Sequence, residues 1–217
     1  MTEAELKRSH RILAPGLLRL VAILAVLAVS ACGGTAFRTY YPQGLDPAVT
    51  RGWTVGNVKV DVPRQLSVSE ERTYLPRADI VWREDPPGDR HAQVARIMSD
   101  AIRTGSASLH GKRRVVIEAR MTRFHAMTFE AEALSIKAGV HDVEFDIRIL
   151  DARTATVLVP TTHIEASFPA RTGAEMAMAR AGGDSQKKQI RHHVAATIAG
   201  WLGTGRDART SFTRIGG

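Results

Sequence analysis

Two segments of this chain repeat apolar residues at intervals of three and four positions, the pattern of a helix with one buried face. The first predicted helix covers residues 90–104 and follows Asp89, a good N-cap residue. The second begins after Asp184 or Ser185 and ends before Gly203. We expect both helices to pack on a sheet. Their apolar stripes consist of Val94, Ile97, Met98, Ala101 and Ile102, and of Ile190, Val194, Ile198, Trp201 and Leu202.

Alternation of apolar and polar residues predicts the strands of that sheet. The alternation is clearest at residues 115–122 and 143–149, where every second residue is apolar. Residues 151–154 predict a hairpin turn into a third strand at 155–168. Because Pro160 has no backbone N–H, this third strand needs an edge position or a break at that residue.

Two further strands are predicted before the first helix. One covers residues 53–62 and changes phase at Gly56 and Asn57, which indicates a β-bulge. The other covers residues 78–82. The resulting order is ββαβββα. It predicts an α+β fold with a mainly antiparallel sheet of about five strands and two helices packed on one face.

The N-terminal segment has the features of an export signal. Its apolar stretch, Leu20–Ala31, is 12 residues long. As a helix it would span about 18 Å, which is short of the roughly 30 Å of a bilayer core. The stretch therefore favours the apolar region of a signal peptide over a transmembrane helix. The basic or titratable residues that precede it are Lys7, Arg8, His10, Arg11 and Arg19.

Cys32 is the only cysteine of the chain, and it directly follows this apolar stretch. The run Val29-Ser30-Ala31-Cys32 resembles the bacterial lipobox. This resemblance implies that Cys32 is acylated, becomes the first residue after cleavage and anchors the protein by three acyl chains. Such an anchor does not leave a membrane spontaneously. The alternative is an ordinary secretory leader, cleaved at a site of small residues. The residue that follows the cysteine is Gly33 rather than Asp. By resemblance to enterobacterial sorting, this residue favours the outer membrane as the location of the protein.

These features predict the domain organisation. Residues 1–31 are expected to be a lipoprotein signal peptide, and residues 32–51, which lack periodic apolar residues, a lipidated tether. Residues 52–203 should form a single α+β periplasmic domain, with a mobile loop at 170–184. Residues 204–217 are expected to be a flexible C-terminal tail.

The charge of the chain is positive. The full sequence has 30 Lys and Arg and 22 Asp and Glu residues, and residues 1–31 account for four and two of these, which leaves a net charge of +6. A positive surface favours anionic headgroups or acidic partners, although it is equally compatible with a generally soluble surface. The basic residues are spread along the chain, so no nucleic-acid partner is expected. With Cys32 acylated, no thiol remains for a disulfide, a metal or catalysis.

Motifs for catalysis, metal binding and phosphate binding are missing from the sequence. Residues 105–112 superficially resemble a P-loop, but five residues separate the glycines and Arg113 replaces the required Ser or Thr. His192 and His193 are adjacent and lack the i, i+4 spacing of a zinc helix. We expect one of them to face solvent and the other to flank the apolar stripe. No catalytic residue, metal site or cofactor is therefore predicted.

A second group of polar residues lies in one predicted strand. Alternation places Asp142, Glu144 and Asp146 on the solvent face and His141 on the opposite face. Calcium prefers a tight loop of oxygen ligands to an extended strand. We interpret these carboxylates as a solvated surface.

Basic residues cluster around the start and the outer face of the strand after the first helix. If this face is open, it could bind a phosphorylated glycolipid or an acidic partner. Alternatively, a helix covers the face or Glu118 and Glu144 neutralise it. The candidate residues are Lys112, Arg113, Arg114, Arg120 and Arg123.

The segment Leu75-Pro76-Arg77-Ala78-Asp79-Ile80-Val81-Trp82, followed by Asp85-Pro86-Pro87-Gly88-Asp89-Arg90, is similar to a family of uncharacterised proteobacterial lipoproteins. Element order and size also resemble the auxiliary lipoproteins of envelope transport machines, which is an analogy of fold alone. The resemblance implies a lipid-anchored protein of the cell envelope, placed at the outer membrane and facing the periplasm.

We hypothesise that the protein is not an enzyme. It would bind or scaffold an envelope protein or an anionic lipid, through a sheet edge or the basic face. An envelope hydrolase with a dispersed active site and a purely structural envelope protein are the alternatives. A hydrolase would require a deep pocket with converging polar side chains.

Overall fold

The structure is a computed structural model that describes residues 35–136 and 138–214. Within these ranges the chain forms eight strands and five α-helices. The strands are β1 (Thr35–Tyr40), β2 (Trp53–Asp61), β3 (Ile80–Val81), β4 (Arg113–His125), β5 (Val140–Asp151), β6 (Val157–Ala166), β7 (Phe168–Pro169) and β8 (Thr210–Arg214). The helices are α1 (Pro47–Thr50), α2 (Arg90–Gly105), α3 (Phe129–Glu132), α4 (Gly173–Ala181) and α5 (Gln186–Trp201).

One sheet has the strand order β2-β4-β5-β6-β1-β8, while β3 pairs with β4 and β7 pairs with β5. Strands β2 and β3 are parallel to β4, and all other pairs are antiparallel. A parallel pair requires a crossover connection, and α2 lies in the connection from β2 to β4. The predicted α+β class and mainly antiparallel sheet are confirmed. The predicted number of about five strands is wrong.

Both long helices are confirmed. The Asp89 carboxylate accepts from the N–H of Ala92 at the start of α2, and the Ser185 hydroxyl accepts from the N–H of Lys188 at the start of α5. Their apolar stripes and the inward residues of β4 and β5 form one core, in which Trp82 and Trp201 are fully buried. None of the helices in the described ranges is long and apolar enough to span a membrane.

The predicted irregularities in two strands are also confirmed. The register between β2 and β4 shifts between Val55 and Asn57, so that Gly56 is the extra residue of a bulge. The register between β5 and β6 is irregular beside Pro160. In addition, β1 pairs with β6 only at Ala166 and Glu165, so no strand of the described residues pairs with the outer side of β6 at Pro160.

The predicted tether (32–51) and tail (204–217) are wrong over the part that the structure describes. Strand β1 pairs with β8 from Thr35↔Arg214 to Thr39↔Thr210, and with β6 at its other end. Tyr41 is buried, and its hydroxyl donates to Asp207 at 2.8 Å. Residues 35–51 and 204–214 therefore belong to the same sheet and core as residues 52–203. Strands β1 and β8 are only six and five residues long. Segments this short contain too little alternation of apolar and polar residues to be recognised as strands from the sequence.

The predicted mobile loop at 170–184 is also wrong, because most of it forms α4. This helix has nine residues, of which Met176 is the buried one. Arg180 near its end pairs with Glu132 at 2.7 Å and with Glu84 at 2.9 Å. A nine-residue helix with one buried side chain has no apolar stripe, so its periodicity could not be detected. Its ion pairs attach it to the domain.

Gly105 permits the close approach of α2 and α5, and this generates a prediction. A Cβ atom there would lie 2.4 Å from the backbone oxygen of Ala195 and 2.8 Å from the Cβ of Ile198. We expect Gly105→Ala to lower the free energy of unfolding by about 1–3 kcal/mol, because the helices would have to separate. Urea unfolding followed by circular dichroism measures this change.

Gly182→Ala is the matched control. Its Cβ would meet nothing nearer than 3.4 Å, and its φ of −80° suits alanine. This variant should be neutral or more stable by about 0.4–1 kcal/mol, because alanine restricts the unfolded chain. Equal stability of Gly105→Ala and the wild-type chain would contradict the role assigned to Gly105.

Candidate functional site

The predicted basic residues do not form one basic face. Arg113 and Arg114 are consecutive in β4 and so point to opposite faces of the sheet. Arg113 donates to Asp151 at 2.8 Å, Arg120 pairs with Asp61, and Arg123 pairs with Asp142. Lys112 and Arg114 are exposed and form no ion pair with the residues that the structure describes.

Acidic side chains of the neighbouring strands neutralise the sheet face that carries Arg120. Glu118 receives hydrogen bonds from Arg148 at 2.7 and 2.9 Å and one from Lys59 at 3.2 Å. A shallow cleft of about 470 Å³ on this face is lined by these charges of both signs. Pairing lowers the pKa of Glu118, principally through Arg148, so the carboxylate stays ionised. This surface is better described as a network of exposed ion pairs than as an anion site.

Cys32, the predicted lipidation site, lies outside the described residues. Its acylation stays a prediction.

The histidines that were considered as metal ligands are either exposed or packed against an aromatic ring. His192 is exposed, whereas the ring of His193 stacks on Phe168 with centroids 4.3 Å apart. His141 lies against the same Phe168 ring at 4.9 Å and is only 1% exposed. These positions confirm the predicted orientations of His141, His192 and His193. Within residues 35–136 and 138–214, no group of three His, Cys, Asp or Glu side chains could hold a metal ion.

Hydrogen bonding assigns the proton on His193. The hydroxyl of Thr39 donates to the carbonyl of Ser167 at 3.0 Å, so its oxygen accepts from Nε2–H of His193 at 2.8 Å. Burial lowers the pKa of His193 to about 4 and that of His141 to about 3. Both rings are therefore neutral at physiological pH.

Asp142 does not lie in solvent as predicted. It is 8% exposed, because the Ser167 hydroxyl donates to it at 2.6 Å and the Arg123 guanidinium pairs with it. The position of this ion pair matters because Arg123 and Asp142 both line an open groove.

The groove has a volume of about 980 Å³ and lies at the end of β4. Residues 67–79 form one wall, and residues 126–136 and 138–140 form another. Tyr74, Leu75 and Ile136 are 57%, 63% and 56% exposed. The apolar side chains of the lining include Leu75, Pro76, Met127, Leu134, Ile136 and Val140.

Sequence reasoning missed this groove. Apart from the single turn of α3, both walls are irregular, and neither shows the two- or 3.6-residue period by which buried faces are identified. One feature of the sequence could have indicated the groove. Large apolar residues occur in segments without a helical or strand period, among them Tyr74, Leu75, Leu134 and Ile136.

Ionic and hydrogen-bonded contacts fix the first wall. Buried Arg90 of α2 donates to Glu70 at 2.7 Å and to the carbonyl of Asp85 at 3.0 Å. Asp79 accepts from the backbone N–H and the hydroxyl of Ser67 at 2.8 and 2.7 Å. The side-chain bond from Ser67 is the largest cause of the lowered pKa of Asp79.

Gln186, at the start of α5, fixes the second wall. Its side-chain oxygen accepts from the N–H of Met127 at 3.0 Å, while its amide nitrogen donates to Glu132 of α3. Glu132 also pairs with Arg180, and this bond raises the pKa of that guanidinium. The second wall is thereby attached to both α4 and α5.

The groove floor contains polar groups that are already engaged. His125 lies 3.1 Å from the carbonyl oxygen of Pro76 through Nε2, and burial lowers its pKa, so the neutral ring donates this bond. Arg123 and Asp142 pair with each other. The surface available to a ligand is therefore mainly apolar.

The buried histidines predict a pH-dependent stability. The pKa values of His141 and His193 in the folded state lie below the 6.5 of an unfolded histidine, so the unfolded chain binds more protons. The folded chain therefore has its full stability above about pH 6.5 and loses stability as the pH falls towards 4. At pH 5 each of the two histidines should lower the free energy of unfolding by about 2 kcal/mol. Urea unfolding between pH 7 and pH 5 measures the loss.

His141→Leu should reduce this slope, because it removes one of the two buried histidines that cause it. A full wild-type slope in the His141→Leu chain would contradict the assignment.

Comparison with known proteins identifies the family. The model of the family of unknown function DUF6778 matches residues 53–217. No curated protein matches the chain. Similar solved structures include the PelC dodecamer of Paraburkholderia phytofirmans, with 14% identity over 80% of this chain and 98% of that one, at a TM-score of 0.35.

Another is the Xanthomonas campestris protein XCC0632 of family DUF330, with 10% identity over 74% and 88% of the two chains and a TM-score of 0.43. A Caulobacter crescentus CB15 protein provisionally described as a lipoprotein has 13% identity over 50% and 82%, with a TM-score of 0.28. At these scores the similarities carry no argument about function. The family match covers three quarters of the chain, and the protein therefore belongs to the family of unknown function DUF6778.

Proposed function

We propose that this protein is a lipid-anchored, non-enzymatic binding protein of the cell envelope that holds an apolar ligand in the groove at the end of β4. The observation that carries the proposal is the groove itself, which is open, about 980 Å³ in volume and lined mainly by apolar side chains. Small-molecule and lipid sites have this character, with an apolar lining and a few polar groups.

The distribution of exposed apolar side chains supports the same site. Eight large apolar side chains are exposed within the described ranges, and three of them line the groove. Exposed apolar side chains that share one surface mark an interaction site more often than scattered single residues do. The three are Tyr74, Leu75 and Ile136.

The position of Cys32 supports work at a membrane. Only Gly33 and Gly34 separate Cys32 from β1 in the sequence. Because an extended chain reaches at most about 3.6 Å per residue, a lipid on Cys32 would be attached within about 11 Å of β1. We propose the outer membrane, facing the periplasm, as the location. The domain would then act next to the bilayer, without a long tether.

The anchor can be tested with Cys32→Ser in the full chain. We expect this variant to lose labelling by a clickable palmitate analogue and to leave the membrane fraction, because serine cannot form the thioether or receive the acyl chains. Gel fluorescence and membrane fractionation, with the wild-type chain in parallel, measure both effects. A variant that still incorporates the label would contradict the lipobox assignment.

Groove binding can be tested in intact cells with a photoreactive amino acid at position 138 or 78. Ala138 and Ala78 line the groove and are partly exposed, so both positions accept a larger side chain. We expect irradiation to give an adduct from each position. Ala196, exposed on α5 and outside the groove lining, is the matched control and should give none.

Mass spectrometry of the captured chain identifies the adduct. A small mass increase indicates a lipid, whereas a crosslinked band of higher mass indicates an envelope protein. If neither groove position gives an adduct in chains that fold normally, the proposed function is contradicted.

A further inference from the structure

We infer that the ligand of the groove is an anionic phospholipid of the membrane, with an acyl chain among the apolar side chains and its headgroup on Arg77. This inference rests on the proposed function, because it names the ligand class of the same groove.

The polar side chains of the groove favour an acyl chain over a peptide. A bound peptide needs partners for its own backbone N–H and C=O groups, whereas an acyl chain needs none. Nearly all polar side chains of the lining are already occupied by partners inside the protein. These pairs are Ser67 with Asp79, Thr128 with the carbonyl of Thr73, Thr172 with the carbonyl of Ile136, His125 with the carbonyl of Pro76, and Arg123 with Asp142.

Arg77 is the exception among the charged groups of the lining. It is exposed, and it forms no ion pair with the residues that the structure describes. Of the two carboxylates in the lining, Asp142 pairs with Arg123, and Asp79 accepts from the N–H and the hydroxyl of Ser67. A guanidinium binds phosphate oxygens through two parallel hydrogen bonds. The groove thus combines an apolar lining with one available cation, which matches an anionic amphiphile.

The exposed apolar side chains favour the bilayer as the source of this amphiphile. Tyr74 and Leu75 lie three and two positions before Arg77, and Ile136 lies on the opposite wall. An amphipathic tyrosine ring and neighbouring apolar side chains are suited to the boundary between headgroups and acyl chains. With these residues in that boundary, a phospholipid could enter the groove without crossing water.

The test uses the full chain, purified in a nonionic detergent and captured on resin. Radiolabelled phosphatidylglycerol and phosphatidylcholine with identical acyl chains are offered in mixed micelles, and retained lipid is counted. We expect the wild-type chain to bind phosphatidylglycerol about tenfold more tightly, as one charge-assisted contact allows. Arg77→Ala should abolish this preference by weakening phosphatidylglycerol more than phosphatidylcholine, because choline already compensates the phosphate charge of the latter, and Arg77→Lys should retain part of the preference.

Two variants separate the inference from the proposed function. Ala138→Trp, which fills the groove, should weaken binding of both lipids, whereas Ala196→Trp should weaken neither. Equal wild-type affinity for the two lipids, or an Arg77→Ala chain that keeps the preference, would overturn the anionic assignment but leave groove binding intact.

Two further outcomes would also overturn the inference. Displacement of phosphatidylglycerol by equimolar oleic acid would identify a free fatty acid as the ligand instead of a phospholipid. Binding of neither phospholipid by the wild-type chain would reject a lipid ligand. In that case, photo-adducts from positions 138 and 78 to a protein would still support the proposed function, and their absence would remove it as well.

Discussion

The fold depends on covering one face of the β4–β5 sheet with two helices that must themselves meet closely. The inward side chains of these strands, among them Ile117, Phe145 and Ile147, are fully buried under the stripes of α2 and α5. The helices can approach this sheet together only because Gly105 presents no Cβ to Ala195 of α5. Burial of this apolar surface is the main favourable contribution to folding, so the rest of the fold depends on the packing of the two helices on the sheet.

One consequence is the position of the groove. Strand β4 continues to His125, where it lies between β3 and β5 and next to the two groove walls. These segments have apolar residues but no continuous stripe, and several of their side chains stay exposed. An opening with an apolar lining results at this end of the sheet. Its walls nevertheless keep a defined shape, because charged contacts attach them to the core.

Those contacts converge on the start of α5. Glu84 accepts from the N–H groups of Gln186 and Lys187 at 3.0 and 2.6 Å and pairs with Arg180, so a carboxylate satisfies free donors at a helix N-terminus. Glu132 binds both Arg180 and Gln186. Groups of this kind are costly to bury alone and stabilise a structure only as a satisfied set. The groove wall is therefore held by a network, with the exposed apolar side chains free to contact a ligand.

The sequence by itself determined the elements whose pattern is long. Both principal helices, the strands at the centre of the sheet, the bulge at Gly56 and the irregularity at Pro160 follow from local periodicity and backbone chemistry. The orientation of His141 also followed from alternation, but the burial of Asp142 did not, because its partners Arg123 and Ser167 come from two other parts of the chain.

Only the tertiary structure decided the elements and sites that depend on distant partners. Strands β1 and β8 exist because residues about 175 positions apart pair with each other. The predicted basic residues are separated by the two faces of the sheet and are largely neutralised by carboxylates from neighbouring strands. The groove combines residues from separate parts of the chain, and its two walls have no periodic pattern. Periodicity reports which side of an element is buried; it contains no information about which elements meet, and pairing, neutralisation and cavities all depend on that.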